Sequence, residues 1–103
     1  MWGDSLKIEY SNRSIEKVCT NASTATKRHG QKMADKIHQR IDEILAADTV
    51  EEMIRFKVGR CHPLCQDRKT QYAVDLIQPY RLVFEKKGNE IQVVNIIEIV
   101  DYH

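Results

Sequence analysis

At 103 residues the chain has the length of one domain with one modest core. Hydrophobic residues make up 42% and charged residues 30%, a globular balance that excludes a disordered or fibrous polymer. No apolar run approaches the ~18 residues of a membrane span. Net charge is only +1, so the whole molecule is not an electrostatic magnet for nucleic acid.

Leu6–Tyr10 alternates and predicts a short strand. Ser11-Asn12-Arg13-Ser14 then supplies N-cap candidates. Ile15, Val18, Cys19, Ala22, Ala25 and Thr26 follow helical spacing, which predicts one helix ending at His29-Gly30. A second helix carries the apolar stripe Met33, Ile37, Ile41, Ile44 and Leu45, with Lys32, Lys36, Arg40 and Glu43 on its other face. Together they predict a helical hairpin with one buried side. Asp48-Thr49-Val50-Glu51 has the spacing of a capping box and predicts a single turn that tucks Val50 and Met53 inward.

The second half reads as β. Ile54–Val58 alternates as a strand, and Gly59–Lys69 is a loop broken by Gly59, Pro63 and polar residues. Tyr72–Leu76 is a strand with Tyr72, Val74 and Leu76 on one face. After a turn at Gln78-Pro79, Arg81–Glu85 returns with Leu82 and Phe84 inward and Arg81 and Glu85 outward. Lys87-Gly88-Asn89 is a hairpin turn, and the nearly all-apolar Ile91–Val100 suits a central strand. In that strand Ile97 and Ile99 are expected on one face, Glu98 and Val100 on the other. The expected fold is a compact two-layer α+β domain over residues 1–103, the hairpin packed on a small, mainly antiparallel sheet.

The charges are uneven: Arg13–Arg40 is mostly basic and Asp42–Glu52 acidic. The simplest account is solvated helix faces; a basic face that tracks a phosphate backbone is the functional one. The three cysteines, Cys19, Cys61 and Cys65, suit reduced thiols, and Met1–Tyr10 lacks the apolar core of a secretory leader, so a cytoplasmic location is expected. Cys61-His62-x-x-Cys65 lacks the second pair of ligands that a closed zinc site needs. His29 and His38 read as helix-surface residues, and Tyr72 and Tyr80 as packing residues.

The chain ends Asp101-Tyr102-His103 directly after the last strand, and His62 lies in the Gly59–Lys69 loop. If that loop and the start of the Arg81 strand lie near the tail, His62, Arg81, Tyr102 and His103 converge. The stretch from Gly59 to Lys69 with Tyr72-Ala73-Val74, then Pro79–Phe84, then Glu98–His103, resembles the RelE/ParE superfamily of bacterial toxins, most closely its HigB branch. The carrying motifs are His62-Pro63-Leu64 followed by Asp67-Arg68, Tyr80-Arg81, and the terminal Asp101-Tyr102-His103.

The resemblance implies the toxin of a type II toxin–antitoxin pair that cuts mRNA on the ribosome. It also implies a helix-turn-helix, HigA-like antitoxin as partner, no membrane, no cofactor, and a free toxin expected to be monomeric. The family pattern has Lys-Gly where Cys65 and Gln66 stand, so that lysine's substrate contact would fall to Arg68 or Lys69. RNA cleavage of this kind uses the 2′-OH as nucleophile, a base, an acid and a cation for the phosphorane. Histidine, with an ordinary pKa of ~6.5, suits both proton transfers. His62 and His103 are the acid/base candidates, their individual roles open, and Arg81 is the phosphate clamp. Tyr102 offers a stacking face, and Asp101 could orient His103 or a base edge. A ParE-like gyrase inhibitor and a non-catalytic antitoxin-binding remnant are the competing readings.

Overall fold

The computed structural model describes residues 6–64, 70–88 and 92–101. Among them the elements run β1 (Lys7–Tyr10), α1 (Arg13–Thr20), α2 (Ala22–His29), α3 (Gln31–Ala46), α4 (Val50–Arg55), a 3-10 turn (Val58–Arg60), β2 (His62–Pro63), β3 (Gln71–Asp75), β4 (Tyr80–Lys87) and β5 (Val93–Asp101).

The first predicted helix is two. Asn12 caps α1, its Oδ1 accepting from Ile15 N at 2.9 Å. Asn21 closes that helix through its own N–H to Lys17 O and opens α2 by accepting from Thr24 N at 2.9 Å. A short amide side chain that satisfies the backbone locally makes the break cheap. In α3 the residues Met33, Ala34, Ile37, Ile41 and Ile44 are buried, but Leu45 lies a helical step beyond Ile44, off the stripe, and is exposed. Two polar residues read as surface turn inward: Arg40 is largely buried, and half-buried His38 donates Nε2–H to Val18 O at 3.1 Å.

The expected strand Ile54–Val58 does not form. Thr49 caps α4, accepting from Glu52 N at 3.0 Å, while Glu52 Oε1 accepts from Asp48 N at 3.2 Å. The capping box therefore sits one residue later than its predicted position, and a strong helix start overrides a short alternation. Val50 and Met53 are fully buried as expected, whereas Phe56 is exposed.

The sheet order is β1-β5-β4-β3-β2, with β1 parallel to β5 and the other pairs antiparallel. Cross-strand pairs Tyr72–Phe84, Val74–Leu82, Phe84–Ile96 and Leu82–Ile99 place these side chains on one face. That face packs with Ile15, Val18, Ile37, Ile41 and Ile44 of the helices into one core, giving the expected two layers. Each large apolar side chain fully buried there contributes about 1.5–3 kcal/mol. Tyr72 stacks on Phe84 at 5.7 Å between ring centres, a packing role. The register shifts between Val83–Glu98 and Phe84–Ile96, so Ile97 is the extra residue of a β-bulge. The bulge returns Ile99 to the core face three residues after Ile96, where unbroken alternation from Ile96 would put it on the opposite face. No helix among the described residues is long and apolar enough to cross a membrane.

Candidate active site

The sheet face opposite the helices holds the polar constellation. Register aligns His62–Ala73–Val83–Glu98 across β2, β3, β4 and β5, and beside it Asp75–Arg81–Val100. Directly opposed residues share a face, so β2, though only two residues long, sets His62 beside the β3–β4 hairpin that carries Asp75 and Arg81.

The approach to His62 is unusual. Lys57, Gly59 and Arg60 have φ of 56°, 55° and 54°, all in the left-handed region. For Lys57 and Arg60 this conformation is disfavoured and must be held by surrounding contacts. For Arg60 two such contacts are evident. The Arg60 carbonyl accepts from His62 Nδ1 at 2.8 Å, and Arg60 Nε lies 3.2 Å from Asp75 Oδ2. Because a carbonyl can only accept, His62 Nδ1 carries a proton, and in the neutral ring Nε2 presents its lone pair. Arg81 Nη1 faces that nitrogen at 3.5 Å, a long contact.

Asp75 links the groups. It is 6% exposed, and its Oδ1 is 3.4 Å from Arg81 Nε, an ion pair without hydrogen-bond alignment. Its backbone carbonyl accepts from Arg40 Nε at 2.6 Å. Arg40 is itself fixed by Glu43 Oε1 at 2.8 Å. Just before His62, Cys61 turns into the core, where burial pushes its thiol up to about 12. Cys19 is a second buried free thiol, pushed up to about 12 for the same reason.

Of the sequence candidates, His62 and Arg81 are brought together. Asp101 is exposed at the end of β5, opposite Tyr80 and one ladder step from the Arg81–Val100 pair. Tyr102, His103, Arg68 and Lys69 lie outside the described residues, as does Cys65 of the Cys61-His62-x-x-Cys65 motif. Sequence reasoning missed the parts played by Asp75, Arg60 and Arg40. One signal was available: counting outward from the Gln78-Pro79 turn pairs Asp75 with Arg81, an opposite-charge cross-strand pair.

Comparison with family models finds no match, and a search of curated proteins finds none either. Solved structures do match. A YoeB/ParE toxin from Agrobacterium tumefaciens superposes with a TM-score of 0.58 at 15% identity, over 95% of this chain and 100% of that one. A YoeB dimer from Staphylococcus aureus gives 0.55 at 19% identity, over 96% and 98%. The chain has the YoeB/ParE toxin fold. Within that fold the His62–Arg81 pair occupies the sheet face opposite α1–α3, and Asp75 closes its inner side.

Proposed function

We propose that this chain is the toxin of a type II toxin–antitoxin pair, a single domain over residues 1–103 in the HigB-like branch of the RelE/ParE superfamily. Its proposed activity is metal-independent, ribosome-dependent cleavage of mRNA in the cytoplasm. The observation that carries this reading is the His62–Arg81 pair: an imidazole whose Nδ1 is held by a carbonyl and whose Nε2 faces a planar cation, on a YoeB/ParE toxin fold.

Arg60's carbonyl commits the imidazole proton to Nδ1, so Nε2 is the atom that takes the 2′-OH proton. Arg81 turns its Nη groups to the phosphate oxygens and stabilises the charge that builds on the phosphorane. His103 then serves as the acid for the 5′-oxygen, Tyr102 stacks an unpaired base, and Asp101 orients one or the other. Arg68 and Lys69 supply further phosphate contacts. A site this sparse gains its geometry from ribosomal RNA holding the message. The partner that silences it is a HigA-like helix-turn-helix antitoxin, and the free toxin is monomeric.

Tightly controlled expression tests the reading. The parent arrests growth and cuts ribosome-bound mRNA; folded His62→Ala and Arg81→Ala variants do neither. A folded His62→Ala variant that cuts like the parent would sink the nuclease assignment. Gyrase-cleaved DNA accumulating beside intact mRNA would favour the gyrase-inhibitor alternative, and a harmless parent that still binds its antitoxin would favour the remnant.

A further inference from the structure

We infer that Asp75 is the positioning residue of this site, one buried carboxylate that aims Arg81 directly and His62 through Arg60. The inference rests on the reading that His62 and Arg81 act together. Its two oxygens are divided between the two arginines: Oδ1 lies 3.4 Å from Arg81 Nε, Oδ2 3.2 Å from Arg60 Nε. Both contacts take the Nε edge, and Nη1 of Arg81 faces His62 Nε2 at 3.5 Å. Arg60 is the less obvious half. Its side chain is 71% exposed, so little besides Asp75 restrains it, yet its backbone holds φ +54° and its carbonyl fixes the His62 tautomer. Anchoring that side chain holds the strained peptide, and the peptide holds the imidazole.

Asp75 is itself immobilised. It is 6% exposed, it ends β3, and Arg40 grips its carbonyl at 2.6 Å independently of the carboxylate. The side chain can therefore be altered without releasing the strand end. An isosteric amide at this position offers one neutral oxygen where two arginines each had a charged one. Arg60 and Arg81 then repel each other without a carboxylate between them. The expected consequence is misdirection of both catalytic groups at once.

The test compares the parent with Asp75→Asn and Arg60→Ala. Nitrogen-15 NMR above pH ~8, where imidazole is neutral, separates the two tautomers of His62, with its signals assigned by loss in His62→Gln. The parent should hold the proton on Nδ1; both variants should populate the other tautomer measurably. On ribosome-bound mRNA, single-turnover cleavage by Asp75→Asn should fall on the order of 100-fold, with half-saturating ribosome concentration little changed. A merely structural Asp75 would lower the melting temperature while the folded protein kept the parent tautomer and the parent cleavage rate. That outcome overturns the inference. Should Asp75→Asn fail to fold, Arg60→Ala decides the matter from its exposed side chain, and an unchanged tautomer there overturns it equally. The tautomer readout needs no RNA. A parent that cuts no message would retire the nuclease reading, while a shifted tautomer in the variants would still support the assignment of Asp75.

Discussion

Arg40 occupies the space that a side chain at Gly59 would fill: a Cβ there would lie 2.7 Å from Arg40 Nε. Arg40 cannot simply withdraw, because that same nitrogen donates to the Asp75 carbonyl at 2.6 Å and its Nη1 is held by Glu43. Gly59 also has φ +55°. Gly59→Ala should therefore destabilise twice, about 1–2 kcal/mol from the left-handed backbone and more from displacing Arg40. Urea unfolding of the single variants and of Gly59→Ala with Arg40→Ala separates the parts. The penalty should shrink in the Arg40→Ala background, and an equal penalty in both would show that the contact is irrelevant.

Thr49 starts α4, which replaces the strand expected over Ile54–Val58. Its Oγ1 takes one of the unpaired N–H groups of the first turn, that of Glu52. Thr49→Ala should cost about 1 kcal/mol, and Thr49→Ser much less. Thermal unfolding of both checks this. A loss of helical circular dichroism should accompany the alanine change only, since α4 is short and has few internal bonds to spare.

The legible parts of the chain were those written in period. Ile37, Ile41 and Ile44 marked the buried face of α3, and Leu82 and Phe84 marked the inner face of β4, because burial repeats at helical or strand spacing. Ile54–Val58 failed because five residues of alternation carry less information than a capped helix start just before them. The site was legible in its ends. His62 and Arg81 stood in recognisable local motifs, and their meeting followed from the register. Asp75 and Arg40 were not legible, because their roles depend on α3, the Val58–Arg60 turn and the β3–β4 hairpin meeting at one point. No local pattern records that meeting; Arg40 looked like any solvated residue on a polar helix face.

The first turn of α4 is also tied to the sheet, and this tie is sensitive to acid. Glu51 accepts from Lys86 Nζ at 2.6 Å and from Gln92 Nε2 at 2.8 Å. The Lys86 hydrogen bond above all, then that from Gln92, lowers the Glu51 carboxyl from 4.5 to about 2. A carboxyl depressed by folding stabilises above its unfolded value, and that stabilisation is lost as pH falls from 4.5 toward 2. Lys86 is raised from its ordinary 10.5, so its share is present below 10.5 and fades as pH rises beyond it. Glu51 is 59% exposed, and water screening holds the pair to about 1 kcal/mol or less. In urea titrations the parent should exceed Glu51→Gln in stability near neutrality, and the two should converge in strong acid. Parallel curves through the acid range would remove this pair from the account.

Arg81→Lys asks whether the site needs a charge or a shape. Arg81 presents Nε to Asp75 and Nη1 to His62 from one rigid plane. An ammonium group is a single point and cannot hold both directions, although it keeps the positive charge beside the buried carboxylate. Stability should therefore fall less than on removing the charge altogether, which would leave the buried carboxylate uncompensated. Cleavage of ribosome-bound mRNA should fall about 100- to 1,000-fold, the loss expected when an oriented donor to a developing anion is removed. Growth arrest on induction, paired with unfolding of the purified variant, reads both quantities. A lysine variant that is stable and as toxic as the parent would show that charge alone suffices, and the planar clamp would have no part in the chemistry.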